Sequence, residues 1–147
     1  MGAIKRLRSI VLLKIARNVS IPNMVRLYLV KWGGVRISDV HNSYIGDCVV
    51  FDTLFPEQIT IGNHVHITSG CKILTHSLET SKPGISWKKT KVIIEDDCFI
   101  GTNSVICNNV VIGKNSIIGA GSIVTKSVPP NEIWAGNPAK FVKNRTI

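Results

Sequence analysis

From Ile94 onward an aliphatic residue returns every six positions: Ile94, Ile100, Ile106, Ile112, Ile118 and Val124. Four residues after each stands a second, mostly smaller one: Cys98, Ser104, Val110, Ser116, Ser122 and Val128. Glycine follows the aliphatic in Ile100-Gly101, Ile112-Gly113 and Ile118-Gly119. A period of six fits neither an amphipathic helix nor an alternating strand. It describes a short strand, a corner and another short strand in a chain that coils around an axis. Hexapeptide repeats of this kind belong to parallel β-helices.

The repeat can be read position by position. Side chains alternate across a strand, so the small residue and the aliphatic two places later share one face. That face is the interior, where Ile and Val of successive coils stack and walls converging at a corner leave room only for a small partner. Asn and Gly near the corners, in Gly113-Lys114-Asn115 and Cys107-Asn108-Asn109, are expected to supply left-handed backbone angles. The signal also runs earlier, as Ile45-Gly46 with Val49, Ile61-Gly62 with Val65, and Ile67 with Cys71. Together the hexads suffice for about four coils, enough for an array that buries its core by stacking.

A hydrophobic fraction of 44% with only 6% aromatic suits a core of stacked Ile and Val, and 147 residues suit one domain. The four cysteines, Cys48, Cys71, Cys98 and Cys107, show no zinc-ligand spacing. Cys71 and Cys98 fall at the small interior position and read as buried free thiols. Free thiols without a secretion signal point to the cytoplasm.

Four parts are expected. Residues 1–34 form an N-terminal helical segment, with Ile4, Leu7, Val11 and Ile15 at helical spacing among Lys5, Arg6, Arg8, Lys14 and Arg17. Residues 35–142 form the β-helix, broken between Phe51 and Ile61 and again by an excursion loop over 77–91 that carries Lys82, Lys88, Lys89 and Lys91. Coiling ends at Pro129-Pro130, the stretch Trp134–Lys140 caps it, and 143–147 is a tail. The fold class is all-β with a short helical start.

The hexads, the Thr75-His76 step before the excursion, and the closing I-G-A-G-S-I-V-T-K-S-V-P-P-N with A-G-N-P-A-K resemble the hexapeptide-repeat acyltransferases. The chain is most similar there to galactoside and maltose acetyltransferases and polysaccharide O-acetyltransferases, over roughly residues 40 to 142. The resemblance implies a left-handed parallel β-helix, a homotrimer with active sites between subunits, and acetyl-CoA as donor. It implies that His76 is the catalytic base, a role a neutral imidazole suits near neutral pH. It places Gly101 and Thr102 at the oxyanion and Ala120 against the pantetheine arm, with Thr125 and Lys126 farther along it. Lys140, and less directly Lys143 or Arg145, would meet phosphates, each lysine being otherwise a solvated charge.

On the acceptor side, Asp52 matches a stretch that contacts substrate in sugar-acetylating relatives. A carboxylate there could bind sugar hydroxyls, orient the imidazole, or satisfy corner backbone donors. Trp87 would form a wall of the cleft or pack the excursion against a neighbour. Glu57 reads as structural, His64 and His66 as outward and solvated, and Trp134 as stacked near the cofactor or plugging the last coil. The basic start and the lysines of the excursion depart from the galactoside pattern. They favour a saccharide acceptor of capsule, exopolysaccharide or lipopolysaccharide synthesis, with an antibiotic-modifying or galactoside-type transferase as the alternative.

The net charge of +9 brings no nucleic-acid recognition motif with it. The basic helix suits either docking on the first coil or peripheral contact with an anionic membrane face. A zinc lyase on the same coil would need three converging histidines, and no histidine follows His76; no metal site is expected. A non-catalytic scaffold would account for the repeat but not for His76 together with the closing motifs.

Overall fold

A computed structural model describes residues 2–18, 20–81 and 83–146; Lys82 lies outside them. Two helices, α1 (Ala3–Asn18) and α2 (Asn23–Trp32), precede the coils. The first coil is β1 (Arg36–Ile37), β2 (Tyr44–Ile45) and β3 (Val50–Phe51), and the second is β4 (Ile59–Ile61), β5 (His66–Ile67) and β6 (Lys72–Ile73). After an antiparallel ribbon of β7 (His76–Leu78) and β8 (Trp87–Lys89), the third coil is β9 (Val92–Ile94), β10 (Phe99–Ile100) and β11 (Val105–Ile106). The fourth is β12 (Val110–Ile112), β13 (Ile117–Ile118) and β14 (Ile123–Val124), and β15 (Glu132–Gly136) and β16 (Ala139–Asn144) close the stack.

The coils form three parallel walls, β1-β4-β9-β12, β2-β5-β10-β13-β15 and β3-β6-β11-β14, with antiparallel β16 at the edge of the second. Register explains the six-residue period. Ile37, Ile61, Ile94 and Ile112 stack in the first wall. Ile45, Ile67, Ile100, Ile118 and Trp134 stack in the second, and Phe51, Ile73, Ile106 and Val124 in the third. The isoleucines of these columns are all buried, each worth about 1.5–3 kcal/mol relative to exposure. Trp134 therefore continues an isoleucine column and plugs the last coil, its indole N–H donating to Glu132 Oε2 at 2.6 Å. The small partners Cys98, Ser104, Ser116 and Ser122 are buried too, the serine hydroxyls donating to backbone carbonyls.

Left-handed residues recur three places after the central aliphatic of a strand. His64, Asp97, Asn115 and Asn131 line the first edge, and Cys48, Gly70, Asn103 and Gly121 the second. Asn115 and Asn108 thus have the positive φ expected of them. Gly113 does not: a Cβ there would lie 2.5 Å from Pro130 N, so glycine is required by the closeness of the next coil.

Three expectations change in detail. The excursion begins as a strand at His76, pinned back by Lys89 Nζ, 3.0 Å from Glu57 Oε1 and over the Phe55 ring. The solenoid continues past Pro129-Pro130 into β15, and its closing ribbon runs to Asn144, beyond the limit of 142. The third concerns α1, which buries Ser9, Leu13 and Ala16, while Ile4, Leu7, Val11 and Ile15 are exposed. The inward stripe, which meets α2 and β3, is half a turn from the apolar one.

Arg26, buried on α2, fixes this arrangement. Its Nε donates to Ala16 O at 3.0 Å, its Nη1 to Ile45 O at 2.9 Å, and its Nη2 pairs with Asp47. Asn23 bridges Ser43 O and Ile45 N, so α2 covers the open end of the second wall.

Candidate active site

The third edge of the prism, where the third wall turns into the first, brings Asp52, Thr75 and His76 together. Phe51 and Ile73 are in register, so Asp52 lies directly beneath the Thr75-His76 corner one coil on. Asp52 Oδ2 accepts from Thr75 N at 2.8 Å, from Thr75 Oγ1 at 3.0 Å and from His76 Nδ1 at 2.5 Å, while Oδ1 accepts from Leu54 N at 2.8 Å. Burial pushes the Asp52 pKa up, but the bonds from Leu54, His76 and Thr75 more than offset it, and the carboxyl lies below its usual range. An ionised carboxylate only accepts, so Nδ1 carries a proton, and in the neutral ring Nε2 then keeps the lone pair.

Asp52 is thereby reassigned. Its side chain is 2% exposed with both oxygens occupied, so it stands behind the imidazole and is not open to a sugar hydroxyl. Sequence reading weighed this role among others; only the stacking of coils selects it. Trp87 crosses back along the ribbon to meet His76 edge-on, with centroids 5.1 Å apart at 88°, and leaves its own face largely exposed. A cavity of about 270 Å³ opens beside them, lined by Leu13, Lys14, Arg17, Val50, Phe51, Asp52, Thr53, Leu74 and His76. Lys14 and Arg17 had been read only as interleaved charges of a helix; no signal in the sequence places α1 over this edge.

The remaining expected residues divide between two edges. Gly101, Thr102 and Ala120 stack on the second, where a Cβ at Gly101 would lie 2.4 Å from Ala120 N. Ala135 continues the strip against Gly119, and Lys140 is its partner across the closing ribbon, exposed to solvent. Thr125 and exposed Lys126 follow β14 and so stand on the third edge, two coils on from His76 and apart from Ala120. The Gly101 N–H donates to Ile118 O at 2.8 Å, so it belongs to the ladder and is not available to an oxyanion. Thr102, exposed beside it, has its hydroxyl 3.2 Å from Thr68 Oγ1. Arg145 is held by Asp97 O and Asn115 O at 3.1 and 3.0 Å, which makes it a strap for the first edge.

His66 is exposed beside Tyr44, and His64 is exposed 3.5 Å from Asp97. Among the described residues, no group of three or more His, Cys, Asp or Glu could hold a metal ion.

The stacked hexads form a parallel β-helix with an Asp–His pair at one corner. Residues 91–126 match the family model described as bacterial transferase hexapeptide (six repeats). The chain is 50% identical over 94 residues to Protein CapG of Staphylococcus aureus, covering 60% of this chain and 54% of that protein. It is 46% identical over 88 residues to a 2,3,4,5-tetrahydropyridine-2,6-dicarboxylate N-acetyltransferase of Halalkalibacterium halodurans, covering 58% of this chain and 33% of the enzyme. The chain thus spans about half or less of the length of these curated relatives. Among solved structures, galactoside acetyltransferase in complex with coenzyme A superposes with a TM-score of 0.71 at 27% identity, over 97% of this chain and 82% of that one.

Proposed function

We propose that this protein transfers an acetyl group from acetyl-CoA to a hydroxyl of a saccharide in the synthesis of a surface polysaccharide. The Asp52–His76 pair at the cavity, with Trp87 alongside, carries the reading. Likeness to CapG and to a coenzyme A-bound galactoside acetyltransferase supports it.

Asp52 keeps the proton on Nδ1 and the ring in one orientation. Nε2 takes the acceptor's hydroxyl proton as that oxygen attacks the thioester carbonyl carbon. The carbon–sulfur bond breaks and the proton passes to the departing sulfur, which leaves an ester and a free thiol. Thr102 is proposed to donate to the oxyanion. The exposed aromatic face of Trp87 suits a sugar ring.

The small-residue strip of Gly101, Ala120 and Ala135 fits a pantetheine arm, with Lys140 toward the phosphates. Thr125 and Lys126 are assigned to the arm as it passes the edge of His76. Strip and base stand on different edges of one prism, so a complete site needs a second copy to bring its second edge against the third edge of the first. That is the physical support for a homotrimer with three shared sites; the left-handed coil is proposed from the likeness to hexapeptide-repeat transferases. No helix among the described residues is long and apolar enough to cross a membrane. A cytoplasmic place, with α1 touching the membrane face through its outward Ile4, Leu7 and Val11, stays a proposal that rests on those residues and their basic neighbours.

Thiol release from acetyl-CoA over a panel of saccharides tests the reading. Acceptor-dependent release that vanishes in His76→Ala is expected; release unchanged in that variant sinks it. The likeness to an N-acetyltransferase favours an amino acceptor as the second reading, and amino sugars in the same panel decide between them.

A further inference from the structure

The cavity beside His76 has a cationic wall that the acetyl-transfer chemistry does not use. Lys14 and Arg17 reach it from the last turns of α1. Among the described residues neither side chain forms an ion pair or a hydrogen bond. The nearby carboxylates are engaged elsewhere, Asp52 by His76 and Asp47 by Arg26.

The helix end that bears these cations is held in place. Arg26 takes the Ala16 carbonyl at 3.0 Å and Cys48 N–H takes the Arg17 carbonyl at 3.2 Å, so two terminal carbonyls that would repel an anion are already occupied. Beside Asp52, Thr53 and His76, the lining has the apolar side chains Leu13, Val50, Phe51 and Leu74, which lower the local dielectric around whatever charge enters. Two unpaired positive groups beside apolar side chains, with Asp52, the one carboxylate of the lining, already engaged by His76 and Thr75, suit an anion better than a neutral hydroxyl.

We propose that the acceptor carries a negative group, a carboxylate or a phosphate ester, and that Lys14 and Arg17 hold it while His76 deprotonates a hydroxyl of the same molecule. The proposal rests on His76 being the base and adds the substrate's charge. A charge-assisted contact of this kind contributes about 10- to 100-fold in affinity.

The test uses the full chain with acetyl-CoA and three acceptors: methyl glucuronide, glucose 1-phosphate and neutral methyl glucoside. Expected are a lower KM for at least one anion, and a rise of about 10- to 100-fold in that KM for the Lys14→Gln/Arg17→Gln double variant. The KM for acetyl-CoA and turnover of the neutral glycoside stay put, and Arg8→Gln, on the same helix but away from the cavity, changes nothing. Whichever anion responds tells carboxylate from phosphate. Equal use of all three acceptors, untouched by the double variant, overturns the proposal while leaving the transferase reading intact. If no acceptor turns over, the transferase reading fails, and the His76 ring resonances decide the anion site separately. Shifts on adding glucuronate or glucose 1-phosphate that vanish in the double variant uphold it, and their absence overturns it.

Discussion

Asp52 Oδ2 and His76 Nδ1 lie 2.5 Å apart although 24 residues separate them in the chain. One full coil supplies that separation, so any change in coil length between Phe51 and Ile73 would break the pair. The contact fixes the tautomer, and with it which nitrogen faces the cavity.

Removing the base and removing its support should therefore differ in degree. His76→Ala should lower kcat by about 100- to 10,000-fold, and Asp52→Asn by less, with the KM for acetyl-CoA little changed in both. Steady-state kinetics with the best saccharide acceptor check this. An Asp52→Asn loss seen only in acceptor KM would return Asp52 to substrate binding.

Asp52 also links folding to pH. Its folded pKa lies below the ordinary 3.8, so its contribution is complete above that value and is lost as pH falls through the lower, folded one. The stability gap between wild type and Asp52→Asn, read by urea unfolding, should be constant near neutrality and should close below about pH 4. A gap that persists unchanged to pH 2 would contradict the assignment.

Stacked columns and exposed helix residues should respond in opposite ways. Ile100→Ala empties part of a column and should cost about 2–5 kcal/mol. Gly101→Ala should cost about 1–3 kcal/mol, because its methyl meets the backbone of Ala120. Ile4→Ser, at an 86% exposed position, should change stability by no more than about 0.5 kcal/mol. Denaturant midpoints measure all three, and a large effect of Ile4→Ser would show that its face is covered in the assembled protein.

The four cysteines should separate by burial. Cys48 is exposed, Cys107 is half-buried, and burial pushes the Cys98 thiol up to about 11 and the Cys71 thiol upward as well. An aromatic disulfide reagent near pH 8 should find one fast thiol, absent in Cys48→Ser, with Cys71 and Cys98 reacting only on unfolding. A fast phase that survives Cys48→Ser would refute the order.

The six-residue period alone determined the parallel coil, the isoleucine columns and the small interior partners, because a strict repeat leaves each strand one face and one register. The Thr75-His76 step stands where the period stops, and the family resemblance pointed to His76 there as the proposed base. Partners from different coils were beyond such reading. Asp52 behind His76, Trp87 folding back onto it, and Lys14 and Arg17 over the cavity are joined by stacking and by helix docking. The sequence left the docking face of α1 open; hydrophobicity marks what can be buried, while packing through Ser9, Leu13 and Ala16 decided what was. Periodicity is local and repeats itself; which edge meets which helix depends on contacts made only once in the whole chain.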